Sequence, residues 1–166
     1  AMAIVAARRP DARLLLAGGR PDQIAAARRD VEGRGLSRHI VFAGERPAAQ
    51  IPHFLDAADV LVSPRSRGTN TPLKIYQYLR CGRPIVATRL LTHTQVLDDE
   101  VSVLTEPTPQ GFARGVLGLL AGRCLVGYEC QEWPRGEPPF GKQPPLAAHM
   151  LEYSSSQLVW VPQSVD

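Results

Sequence analysis

Short apolar runs recur along residues 1–120, separated by polar breaks marked by glycine, proline or acidic residues. RLLLAG (13–18), HIVFAG (39–44), VLV (60–62), IVA (85–87) and VSVLT (101–105) are too short for helices and rich in β-branched residues. That is how strands buried on both faces read. The intervening segments carry helical spacing instead. Residues 1–9 form an amphipathic helix with no cap before it, and residues 23–33 place Ile24, Ala27 and Val31 on one face. Residues 48–58 turn Ile51, Phe54 and Leu55 inward, with Pro52 marking the true first turn after a short lead-in. Two further helices are predicted over 91–98 and 110–120. Strand and helix alternate throughout, so the pattern predicts an α/β protein: a parallel sheet, helices on both faces, right-handed crossovers.

The segment 59–88 is the most informative unit. After VLV comes the polar loop 65–71, in which Gly68 supplies backbone freedom. Thr71 is a suitable N-cap and Pro72 a suitable first helical residue, so a helix is predicted over 73–80, ending at Cys81-Gly82. One residue is electrostatically misplaced. Lys74 sits in the first turn, where unpaired N–H groups and the macrodipole already make a positive end. It is either a solvated side chain or, with Arg65 and Arg67 nearby, part of a site whose bound anion reverses the sign.

Ser63-Pro64, Pro72-Leu73-Lys74, Tyr78, Gly82, Pro84 and Ile85-Val86-Ala87 together resemble the signature region of the family 4 retaining glycosyltransferases. The resemblance spans residues 1–120. It implies the C-terminal, donor-binding half of a GT-B fold: a Rossmann-like sheet with RLLLAG as its second strand and the first strand missing, since that strand would precede Ala1. A domain over 1–123 would then bind a nucleotide-diphosphate sugar, and the acceptor domain would lie N-terminal to it. Donor phosphate and sugar would meet Arg65, Gly68, Thr69, Asn70, Thr71, Leu73 and Lys74, ribose would meet Gln77, and Gly44, Glu45 and Arg46 would lie near the base. Thr69 and Gln77 stand where the family places two glutamates. The resemblance implies no metal and no cofactor beyond the sugar nucleotide, because helix N–H groups and basic side chains take up the leaving diphosphate's charge. The competing class is a non-catalytic phosphate-binding or structural module. Transfer by this segment alone is not expected, since such a site closes between two domains.

Composition adds bounds. The 166 residues suit one domain with a real core, and 44% hydrophobic with 21% charged residues is ordinary for a globular chain. Net charge is +3, with Lys74 and Lys142 the only lysines; this favours anionic ligands and does not argue for nucleic acid. No apolar run approaches a membrane span and no signal peptide is visible, while contact with a membrane surface stays open. Cys81, Cys124 and Cys130 show neither metal spacing nor an even count, so a reducing cytoplasm is the simplest location. Residues 124–166 differ in kind: a proline-dense, tryptophan-containing tail unlike the family, with one strand-like stretch at 158–161. His39, His53, His93 and His149 share no spacing with carboxylates. Asp98-Asp99-Glu100 reads as a solvated turn, and Ser63 lacks the glycines of a nucleophile elbow.

Overall fold

The structure is a computed structural model that describes residues 1–121 and strand 157–160. The elements run α1 (Met2–Arg8), β1 (Leu14–Ala17), α2 (Pro21–Gly33), β2 (Ile40–Gly44), α3 (Ile51–Asp56), β3 (Val60–Ser63), α4 (Lys74–Cys81), β4 (Ile85–Thr88), α5 (Leu91–Thr94), β5 (Val103–Thr105), α6 (Pro109–Leu120) and β6 (Gln157–Trp160). Each short apolar run becomes a strand, and all four residues of both β3 and β4 are buried. Alternation along β3 divides the core: Val60 and Val62 pack with Val5 of α1 and Phe112 and Val116 of α6, while Leu61 faces Leu55 of α3 and Ile75 and Tyr78 of α4. Helices therefore cover both faces. Pro52 lies in the first turn of α3, after a 3-10 turn at Ala48–Gln50.

The sheet order is β2-β1-β6-β3-β4-β5, with β1–β2, β3–β4 and β4–β5 parallel. The slot between β1 and β3, where a Rossmann-like order places its first strand, holds β6. It runs antiparallel to both neighbours, pairing Leu158 with Leu16 and Val62. The expected parallel strands are all present, and Gln157–Trp160, close to the strand-like stretch expected at 158–161 of the tail, adds one antiparallel strand among them. The physical reason is backbone satisfaction, since β1 and β3 would otherwise each leave a row of N–H and C=O groups unpaired at the sheet's centre. The other tail residues, including Cys124, Cys130, Lys142 and His149, lie outside the described ones.

Smaller differences have local causes. The helix expected over 91–98 stops at Thr94, and β5 begins only at Val103. Between them Asp98 takes over the backbone, its Oδ1 accepting from the N–H groups of Glu100 (2.9 Å) and Val101 (3.1 Å). On α2 only Val31 is fully buried; Ile24 and Ala27 are half-buried. All the parallel strands end at one edge, which therefore carries the loops after β1, β2, β3, β4 and β5.

Candidate functional site

Loop 64–73 leaves the carboxyl end of β3 and is tied down from inside by Arg65. The Arg65 backbone N–H donates to Thr88 Oγ1 (3.1 Å). One guanidinium nitrogen donates to Thr92 Oγ1 (3.0 Å) and to the Asn70 carbonyl (3.2 Å). Gly68 crosses over this guanidinium at φ +130°, and a Cβ there would sit 2.9 Å from Arg65 Nη1. Glycine is needed both for the dihedral and for the approach. The segment after β4 holds the loop's far end: Gln95 Nε2 donates to the Thr69 carbonyl (3.2 Å), and Thr71 Oγ1 donates to Gln95 Oε1 (2.7 Å).

That last bond overturns the expected cap. Thr71 spends its hydroxyl on Gln95, and the N-cap of α4 is Leu73, which makes no side-chain cap bond. Pro72 begins a lead-in turn, its carbonyl accepting from the Ile75 N–H (3.0 Å), so the helix proper starts at Lys74. Gly82 closes it in the left-handed conformation at φ 61°.

Lys74 is only 9% exposed. Its ammonium lies 5.8 Å from the centre of the Tyr78 ring, within cation–π range. Among the described residues it makes no ion pair with a carboxylate. Burial, and secondarily the neighbouring Arg65 charge, lower its pKa from 10.5 to about 8. The solvated alternative for Lys74 is thereby excluded. Tyr78 is fully buried while Tyr76 is 49% exposed, so the two tyrosines flanking Gln77 lie on different faces of α4. Gln77 is half-buried one turn along α4.

Beneath the loop lies a group whose importance spacing alone does not show. His93 is completely buried. Its Nδ1 lies 2.8 Å from the Thr88 carbonyl and 3.2 Å from Thr88 Oγ1, and its Nε2 lies 3.0 Å from Ser63 Oγ. A carbonyl can only accept, so Nδ1 carries the proton and Nε2 accepts from the serine hydroxyl. Burial, then the Arg65 and Lys74 charges, lower the His93 pKa against the raising effect of the Thr88 carbonyl. The uninterrupted polar run THTQ (92–95) just after a buried strand was the available signal.

The other expected residues fall elsewhere. Gly44, Glu45 and Arg46 end β2, three strand positions from β3, and make no part of the loop cluster. Gly44 accepts from the Gly18 N–H (2.7 Å), which joins the chain just after β1 to the end of β2, and Arg46 Nε donates to the Ala43 carbonyl (2.9 Å). The structure thus brings together Arg65, Gly68, Thr69, Asn70, Thr71, Leu73 and Lys74, and keeps the Gly44–Arg46 corner apart. His39 is structural, its Nδ1 3.1 Å from the Ala12 carbonyl. Burial pushes the Cys81 thiol up to about 11, which leaves it a poor nucleophile. Among the described residues no cluster of His, Cys, Asp and Glu could hold a metal ion, and no helix is long and apolar enough to cross a membrane.

The sequence profile of the glycosyl transferases group 1 matches residues 1–122. The chain belongs to that family. Among solved structures this group 1 chain is similar to sucrose-phosphate synthase from Thermosynechococcus elongatus, with TM-score 0.56 and 24% identity over 64% of this chain and 29% of that one. It is also similar to HepE of Anabaena, solved in complex with UDP (TM-score 0.53, 22% identity, 60% of this chain and 28% of that one). A third likeness is to the C-terminal domain of the group 1 protein LpcC from Francisella tularensis (0.51, 23%, 61% and 53%). At these identities the likeness is one of fold, and it bears out the α/β, GT-B reading. The chain spans 28%, 29% and 53% of the three proteins' lengths. No curated protein matches it.

Proposed function

We propose that this group 1 chain supplies the nucleotide-diphosphate-sugar-binding half of a retaining glycosyltransferase. The observation that carries the reading is Lys74, a buried cation at a helix N-terminus with no carboxylate partner among the described residues. Such a group is costly in the empty protein and is explained by an anion. That HepE was solved with UDP supports a nucleoside diphosphate as that anion.

In this reading Lys74 and the backbone of residues 68–73 take up the diphosphate charge that develops as the sugar leaves. Arg65 orders the loop from below and adds to the field. Thr69 lies toward the sugar, Gln77 toward the ribose, and Gly44, Glu45 and Arg46 toward the base. At about 4.8 Å per strand, the corner after β2 stands roughly 14 Å from the end of β3, a span an extended nucleoside diphosphate can bridge. The acceptor, and closure over the sugar, belong to a further domain. Thr69 and Gln77 in place of carboxylates favour one second reading, a phosphate-binding module without transferase activity.

Calorimetric titration of the purified chain with UDP, GDP and UDP-glucose tests the proposal. Saturable binding of at least one is expected. Failure of all three to bind, in a chain that unfolds cooperatively in urea, would overturn it.

A further inference from the structure

The loop that carries the proposed anion site has no regular structure of its own, so something must fix its shape before a ligand arrives. The last residue of β4 and the segment after it do so at separate points along the loop. Gln95 holds Thr69 and Thr71, Thr92 Oγ1 donates to the Asn70 carbonyl and accepts from Arg65, and Thr88 Oγ1 holds the Arg65 backbone N–H. His93 stands beneath all of these contacts. It joins the end of β3, through Ser63, to the end of β4, through Thr88. Within one strand pair the ladder aligns Ser63 with Ala87, one residue short of Thr88, so the imidazole closes the gap where the strands stop and the loop begins.

We infer that His93 is a positioning residue for nucleoside-diphosphate binding: its Nδ1–H, held on Thr88, orients the hydroxyl that anchors Arg65 and through it the loop over Lys74. The inference rests on the anion-site reading above. The imidazole must be neutral with the proton on Nδ1 to make both bonds, since Nε2 has to accept from Ser63. The charged groups acting on it are Arg65 and Lys74, both cationic, and these oppose a third positive charge there. Burial acts in the same direction. A neutral, single-tautomer histidine is what the arrangement calls for and what its surroundings enforce. Dispensable core packing would not require a particular nitrogen to carry the proton.

The two ring nitrogens can be tested separately, because an asparagine amide reaches about as far as Nδ1 and a glutamine amide about as far as Nε2. His93→Asn retains a donor toward Thr88 and gives up the Ser63 link; His93→Gln does the reverse. Thr88→Ser keeps the hydroxyl that accepts from Arg65, and Thr88→Val removes it. UDP dissociation constants are measured by calorimetry for the wild type and the four variants, each referred to the folded fraction from a urea titration in the same buffer. His93→Gln and Thr88→Val are expected to bind UDP about tenfold more weakly, the scale of one buried hydrogen bond, with His93→Asn and Thr88→Ser within about threefold of the wild type. Equal weakening by His93→Asn and His93→Gln, or none by either, would overturn the positioning role while leaving the anion site standing. If the wild type itself does not bind UDP, the anion-site reading fails, and this inference with it.

Discussion

Replacing Lys74 by methionine isolates its charge, because the unbranched side chain keeps most of the buried stem that an alanine would delete. The pKa of Lys74 is lowered from 10.5 to about 8 by burial first and Arg65 second. Below pH 8 the side chain is charged in both folded and unfolded states, and folding carries the whole penalty. At about 1.36 kcal/mol per unit this is on the order of 3 kcal/mol. The cation–π contact with Tyr78 offsets about 0.5–1 kcal/mol. Lys74→Met should therefore stabilise the free protein by roughly 2 kcal/mol at pH 7, or about 4–8 °C in Tm for a chain of this size. Between pH 8 and 10.5 the unfolded chain holds a proton that the folded chain has released, so wild-type stability rises relative to the variant and the difference closes. Groups that titrate in both proteins cancel in this comparison. With UDP present the variant's advantage should shrink by roughly 1–3 kcal/mol at saturating ligand, since the ligand stabilises by RT ln(1 + [L]/Kd) and the variant binds it more weakly. Urea and thermal unfolding of both proteins at pH 7, 9 and 11, with and without UDP, provide the measurement. A variant less stable than wild type at pH 7, or an equal UDP-induced shift in both proteins, would refute the reasoning.

Gln77→Glu should leave folding intact and tighten UDP binding by about 1 kcal/mol, the gain from a neutral to a charge-assisted hydrogen bond; calorimetry showing equal or weaker binding would mean Gln77 does not face the ribose. Gly115→Ala should destabilise the chain by about 1–2 kcal/mol in urea, because overpacking outweighs the helix gain of alanine. Its Cβ would sit 2.5 Å from Thr105 Cγ2 and 3.1 Å from Val86 Cγ1, so an unchanged urea midpoint would show that α6 is not seated on the sheet as described.

The strands from β1 to β5 and most helices are legible in the sequence because the signals that encode them are local. VLV and IVA read as strands buried on both faces, and Val60–Ser63 and Ile85–Thr88 are fully buried. Pro52 marks the start of α3 because a proline has one comfortable place in a helix, its first turn. Thr71 was legible only as to type. A threonine before a proline suits a cap, but the hydroxyl found a side-chain partner 24 residues away in sequence, and nothing within the local window predicts Gln95.

The sequence by itself determined the alternating α/β pattern, the loop between β3 and α4, and the presence of a cation at a helix start, each a matter of near neighbours and period. Tertiary structure alone decided that Lys74 is buried, that Arg65 anchors its own loop, that Gly44–Arg46 stands strands away, and that β6 enters the sheet antiparallel. It also decided that His93 joins Ser63 to Thr88, two positions 25 residues apart in the chain and brought side by side by strand pairing. Burial, pKa and hydrogen-bond partnership depend on what packs from distant parts of the chain, and that is fixed only once the sheet has set its register and strand order.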